Sequence, residues 1–324
     1  MERSAVFVDV GYLLGAAGQA LLRTSYRGYI RCEFPALVGS LTDKVIEHSG
    51  LPVLRVYWYD AAYNAVPTHE QRGVATIPGV KLRLGRMVGG RQKGVDSLIV
   101  RDLMTLARER AMATAYLVCG DEDVREGVVA AQDMGARVVL VGIPAANRAF
   151  TLVAEADEVM ELPEEFWRPY FARLTPAQLE EELPAEFAGL PTEVAPAPDG
   201  DQQNGSTITP DAYEAAARDA GTGFAREWGR QSAIEELRGV VAEHSWRVPA
   251  TVDRQLLVMA DRELGFLRQH PELRAPLRQG FKAELAKVLA ERDPEDGSSA
   301  ASSVDGDAGA PDEAARPVEE TATN

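Results

Sequence analysis

Four short apolar runs, Ala5–Val10, Pro52–Tyr59, Ala115–Cys119 and Arg137–Ile143, constrain this chain most. Each is too short for a buried helix and rich in β-branched or aromatic residues, as expected of strands buried on both faces. Between them lie helical patterns over Tyr12–Leu22, Phe34–His48, Val95–Arg110 and Asp123–Met134. Val80–Val88 alternates basic and apolar residues and reads as a strand near a sheet edge. A helix over Arg148–Ala156 and a short strand at Glu158–Leu162 close the series. Strands separated by helices imply right-handed crossovers, hence an α/β fold with a mostly parallel sheet covered on both faces.

The rest of the chain has a different texture. Thr175–Pro210 is rich in Pro, Glu, Ala and Asp and reads as a flexible linker. Ala212–Arg292 is helical throughout, with one apolar stripe at Leu277, Phe281, Leu285, Val288 and Leu289 and another at Val252, Leu256, Leu257, Leu264 and Leu267. Residues 293–324 have no apolar face and read as a disordered tail. The expected division is 1–175, an α/β domain able to fold alone; 176–211, an acidic linker; 212–292, a small all-α module; and 293–324, an acidic tail.

The net charge of −16 argues against a polyanionic partner, but its distribution does not. Residues 1–175 hold 21 acids and 20 bases, and residues 213–292 hold 12 and 13. The excess acid lies in residues 176–212, with 8 acids and no base, and 293–324, with 9 acids and one base. The folded parts are therefore nearly neutral, and whole-chain charge is a poor guide to partners. The 2 cysteines and 4 histidines, with no Cys-x-x-Cys, offer neither a disulfide framework nor a zinc module. No apolar run approaches the ~18–20 residues that cross a membrane, and Met1–Ser4 leads into a strand without a signal-peptide core. A cytoplasmic protein is expected.

Open parallel sheets place their sites outside the carboxyl ends of the strands. Aspartates recur there: Asp9 closes the first strand, Asp60 follows the second, Asp121 and Asp123 follow Cys119, and Asp96 opens a helix. Any one of them is as well explained as a helix cap or solvated turn residue. Together they repel, and each raises the others' pKa unless a cation intervenes. Oxygen donors without His or Cys favour Mg²⁺ or Mn²⁺, and the chemistry implied is hydrolysis of a phosphodiester. Asp102 lies about 240° around the helix from Asp96 and does not share its face.

The runs Phe7-Val8-Asp9-Val10, Lys93-Gly94-Val95-Asp96, Cys119-Gly120-Asp121-Glu122-Asp123 and Ala156-Asp157-Glu158 resemble the NYN domain, of the PIN-like nuclease group that includes the bacterial LabA/DUF88 proteins. The resemblance covers roughly residues 4–165. It implies a PIN-like Rossmannoid three-layer sandwich and metal-dependent endoribonuclease activity. It implies metal binding by Asp9, Asp96 and Asp121, with Asp123 a further catalytic acid and Asp60 a more variable position. The family usually carries Asn just after the first Asp; here the run is Asp9-Val10-Gly11-Tyr12. That departure keeps a second reading open, a weakly active or inactive RNA-binding scaffold. A Rossmann-type nucleotide binder is the poorer fit, since Asp9–Gly15 lacks the G-x-G-x-x-G spacing.

Lys81, Arg83, Arg86, Arg91, Lys93 and Arg101 lie within 21 residues that contain one acid, Asp96. Leading into Asp96, they suit phosphate contact, although an edge strand uses the same residues for protection. Lys93, Arg91 and Arg86 are the expected phosphate ligands. The interleaved Tyr26-Arg27-Gly28-Tyr29-Ile30-Arg31 either stacks bases or packs on the sheet edge; Tyr29 and Tyr12 are the substrate-contact candidates. In the helical module, Trp246, Phe266 and Phe281 read as core. Its arginines serve RNA docking or, with acids between them, a mixed-charge bundle surface. The module also offers a surface for a protein partner or self-association.

Overall fold

The computed structural model describes residues 2–63, 66–88, 91–175, 178, 210–242 and 248–293. Most of the acidic linker, the tail and Trp246 lie outside the described residues.

Seven strands form the main sheet: β1 (Ser4–Asp9), β3 (Val53–Ala62), β4 (Val80–Val88), β5 (Arg91–Lys93), β6 (Thr114–Val118), β7 (Arg137–Gly142) and β8 (Glu158–Glu161). Their order is β5-β4-β3-β1-β6-β7-β8. All pair in parallel except β5, which returns antiparallel on β4. The strand read near the edge, Val80–Val88, is thus covered by β5. Helices α1 (Val10–Ala17), α2 (Phe34–Ser49), α3 (His69–Ala75), α4 (Val95–Arg108), α5 (Arg125–Asp133), α6 (Phe150–Glu155) and α7 (Glu164–Trp167) connect the strands. A separate ribbon pairs β2 (Ile30–Cys32) with β9 (Phe171–Arg173). This is the expected three-layer α/β sandwich.

Alternation along the strands builds the layers. Val6, Val8, Val56, Trp58, Tyr116 and Val118 face one core with Leu13 of α1 and Leu37 and Leu41 of α2. Ala5, Phe7, Tyr57, Tyr59 and Leu117 face the opposite core with Ile99 and Leu103 of α4 and Val128 of α5. All six residues of β1 are buried, as its central place requires. Asp9 starts α1 by capping it, so the helix begins before the apolar pattern suggests.

The helical segment contains α8 (Pro210–Gln231), α9 (Ile234–Ala242), α10 (Ala250–Leu264) and α11 (Arg274–Arg292). α8 and α11 approach closely because Gly221 and Gly280 leave room for backbone. A Cβ on Gly221 would strike the Leu277 carbonyl, and one on Gly280 the Arg218 carbonyl. Phe266 and Phe281 are buried as expected. Arg278 is buried against Asp253, with hydrogen bonds of 2.7 and 2.6 Å, so it does not serve RNA. Among the described residues no helix is long and apolar enough to cross a membrane.

The division near residue 175 marks a change of architecture, not a gap in packing. Tyr29, Tyr63 and Leu174 belong to the same core as Ala217, Phe224 and Met259. Thr24 donates to Glu227 at 2.8 Å, and Arg262 donates to the carbonyls of Gly28 and Ile30 at 3.3 Å. Phe224 stacks on Tyr29 and meets Phe281. Phe224→Ala should cost about 3–5 kcal/mol. Hydrogen exchange should show lost protection at Tyr29–Cys32 as well as in α8; loss confined to the helices would mean that the two parts are not energetically joined.

Candidate metal centre

β1 and β6 are neighbours in register, Val8 opposite Val118. Their ends therefore bring Asp9 beside Cys119. Asp9 is 7% exposed. Its Oδ1 accepts the Tyr12 N–H at 3.1 Å, and the Cys119 thiol lies 3.8 Å from its Oδ2. Burial is the main force pushing the Asp9 pKa up to about 6. The backbone bond from Tyr12 opposes this, and the Asp96 and Asp60 charges add to it. Cys119 is fully buried, its thiol held well above its usual range by burial and by Asp9.

Beyond Cys119 the chain turns. Asp121 caps a 3₁₀ turn over Glu122–Val124 and accepts the Asp123 N–H at 3.2 Å. On the other side, Gly94 adopts φ 79° to start α4, which glycine does without strain, and sets Asp96 in the first turn. Oxygens of Asp96, Asp121 and Asp123 all lie within 4.8 Å of one another. The Asp96 pKa is raised by burial, then by the Asp121 charge, with Asp123 contributing less. The group brought together is thus Asp96, Asp121 and Asp123. Asp9, expected as a ligand beside Asp96 and Asp121, stands outside that trio and meets it through the field of Asp96.

The other acids singled out are neutralised. Asp60 is fully buried and takes Arg27 at 2.8 Å, Gln71 at 2.8 Å and the Ala61 N–H. Asp102 takes Tyr59 and Arg83, at 3.0 and 2.9 Å, and Arg101 at 2.9 Å. Asp253 has Arg278. No ion pair reaches Asp9, Asp96, Asp121 or Asp123 among the described residues. Among the described residues, arginine reaches each of the other buried aspartates and none of these. Oxygen-only donors, close spacing and uncompensated charge fit a hard divalent cation.

Lys93 and Arg86 are exposed and directly opposite in the β4–β5 ladder, just before Asp96. Arg91 stands on the same strand, opposite Val88. Tyr12 is half-buried, its ring against Gly120, and burial pushes its hydroxyl up to about 12. Its Oη has no partner, like Nη1 of Arg148, whose charge acts on it. Tyr29 corrects the sequence expectation: it is 4% exposed within the core shared with the helices, so its faces are closed to a base. His48 bonds Tyr116 at 2.7 Å and Glu158 at 3.1 Å.

Sequence reading missed Gln92. Its amide nitrogen and oxygen would each lie 2.9 Å from a Cβ on Gly11, so the amide occupies the space beside the turn after Asp9. Only pairing of β5 onto β4 brings it there. Arg148 was missed as well, being remote from Tyr12 in sequence.

The NYN domain family model matches residues 3–163. An uncharacterised protein of Sinorhizobium fredii, y4oD, is 52% identical over 95 residues, 28% of this chain and 44% of that protein. The chain thus matches less than half the length of this curated relative. A crystal structure of a protein of unknown function from Vibrio parahaemolyticus aligns at 20% identity and a TM-score of 0.37, covering 53% of this chain and 96% of that one.

Because the folded-state pKa of Asp9 lies above its usual 3.8, at about 6, ionised Asp9 opposes folding. The penalty is full above pH 6 and fades as pH falls through 6 towards 4. In EDTA at pH 7.5, Asp9→Asn, which keeps the helix cap, should therefore stabilise the protein by about 1–3 kcal/mol. The gain should vanish near pH 4. Denaturant unfolding at both pH values checks this, and no gain at pH 7.5 would contradict it.

Proposed function

The chain belongs to the NYN-domain proteins, of the PIN-like nuclease group, and from this we propose that it is a Mg²⁺- or Mn²⁺-dependent endoribonuclease hydrolysing RNA phosphodiester bonds. One observation carries the reading: Asp96, Asp121 and Asp123 converge within 4.8 Å with no ion pair from the chain among the described residues. These three would hold the ion, with Asp9 beside them. When bound, such an ion neutralises developing phosphoryl charge and makes a water acidic enough to attack at neutral pH.

The protein's own groups supply the rest. The Tyr12 N–H and the Cys119 thiol fix the Asp9 carboxylate from two sides. Asp121 is oriented by the backbone N–H of Asp123. Lys93 and Arg86, exposed and opposite each other in the β4–β5 ladder, would take phosphates of the approaching strand, with Arg91 the third expected contact, which positions the strand without reading its sequence. The Asp9-Val10-Gly11-Tyr12 run supports a second reading, an RNA-binding scaffold with weak or no cleavage.

Asp121→Asn keeps side-chain shape and removes one anionic ligand. Cleavage of labelled RNA with Mg²⁺ or Mn²⁺ should fall at least ~100-fold, the scale of losing an electrostatic contributor to a transition state. EDTA should have the same effect on the wild type. Without RNA, either ion should raise the unfolding temperature of the wild type more than that of the variant. Equal cleavage by both proteins would refute the assigned site; bound but uncut RNA with both would favour the scaffold.

A further inference from the structure

A cavity of about 240 Å³ lies between the start of α1 and the helical segment. Its walls come from α1 at Gly11 and Gly15, from Tyr63 beyond β3, from Gln92 of β5 and from Glu263 of α10. Gly11 is two residues from Asp9, so one wall is the helix that Asp9 caps. The helical segment supplies the opposite wall. Polar groups of two kinds face this space. Those of Arg27 and Gln71 are tied to Asp60 and Glu70 or to the Ala61 carbonyl. The Gln92 amide, by contrast, makes no hydrogen bond among the described residues. The Tyr63 hydroxyl, also without a partner among the described residues, is buried within the wall. Glu263 adds a carboxylate, one oxygen of which takes the Tyr26 hydroxyl at 3.4 Å. A Cβ on Gly15 would meet nothing within 4 Å, which leaves the cavity open on that side.

We infer that this cavity receives one nucleobase bearing an exocyclic amine, adenine or cytosine in preference to uracil. The inference rests on the nuclease reading for its RNA source, but the chemistry is that of the base, whether in RNA or in a free nucleotide. The volume suits one base with its sugar and not an oligonucleotide. Tyr26, half-buried at the rim, gives ring surface, as proteins that read unstacked bases use it. A primary amide offers a donor and an acceptor side by side, matching the amine and adjacent ring nitrogen of adenine or cytosine. A carboxylate accepts from such an amine and is repelled by the uracil carbonyl in the corresponding place. A strand held by Lys93 and cut at the acidic trio could place a neighbouring base here. The helical segment thereby gains a role in selecting the sequence cut.

The test uses the full chain carrying Asp121→Asn, so that RNA is not consumed. Fluorescence anisotropy with labelled oligo(A), oligo(C) and oligo(U) should show tighter binding of A and C than of U, by about tenfold, the scale of one bidentate base contact. Gln92→Leu removes the amide at an exposed position, and Gly15→Leu fills the cavity from α1. Each should bring the ratio close to one while oligo(U) still binds. A preference that survives both substitutions, or no preference together with no retention of AMP, overturns the proposal and leaves the nuclease reading intact. If no RNA binds, the nuclease reading falls instead, and equilibrium dialysis of AMP against UMP decides the cavity. AMP retained by the wild type and released by Gln92→Leu supports the proposal with a free nucleotide as the source; AMP not retained overturns it.

Discussion

Charge repulsion among carboxylates held close together is the constraint around which this structure is arranged. Asp96, Asp121 and Asp123 keep oxygens within 4.8 Å of one another, and Asp9 lies near enough to feel Asp96 from a buried position. Three separate elements deliver them: the end of central strand β1, the start of α4 and the turn after β6. Each has its own packing reason to be where it is, so the cluster is imposed by the two hydrophobic cores and not by attraction within it. Elsewhere the same chain buries Asp60, Asp102 and Asp253 against arginines. Among the described residues the fold supplies a guanidinium to each of those and none to this group, so its charge stays uncompensated by the chain.

The sheet was legible because β1, β3, β6 and β7 are buried on both faces, and such strands must be short and apolar. Asp9, Asp96, Asp121 and Asp123 were legible for a related reason: an ionisable residue ending an apolar run stands out. The partners were not. Asp60 lies near the end of a strand and Asp121 just beyond one, yet one meets Arg27, which a loop distant in sequence brings to it, while the side chains around the other are, among the described residues, those of Asp96 and Asp123. No spacing rule separates these cases. The burial of Tyr29 was equally hidden, since it depends on Phe224 almost two hundred residues later. Ribbons β2–β9 and β4–β5 escaped because three-residue strands leave no periodic signal.

Arg27 shows how closely the helical segment and the α/β layers are joined. It binds Asp60 at the end of β3 and Glu70 in α3. Two residues on, Tyr29 enters the core shared with α8, and α10 holds the same loop through bonds from Arg262 to Gly28 and Ile30 carbonyls. The loop is therefore pinned from the sheet and from the helices together. A Cβ on Gly28 would lie 2.6 Å from the Met259 sulfur, so α10 can reach the loop only because that residue is glycine. One wall of the cavity beside Asp9 is thus built by packing between parts of the chain that differ in architecture.

The pairing of β5 on β4 ties Lys93 to the acids mechanically. Gly85 in β4 lies under the backbone of Lys93 and Val95; a Cβ there would come within 2.8 Å of the Val95 side chain and 2.9 Å of the Lys93 carbonyl. That approach seats Val95 in the core against Ile99 and Leu103, and Asp96 is the next residue. Lys93, which faces solvent, and Asp96, which faces the cluster, are therefore held three residues apart across a glycine in the left-handed region, with no slack between them. Gln92 precedes them on the same strand and reaches over Gly11. Lys93, Gln92 and the acid at Asp96 thus follow one another on one short stretch of backbone, so displacing β5 would disturb all three together. The glycines at 11, 85 and 94 are what allow that arrangement to close.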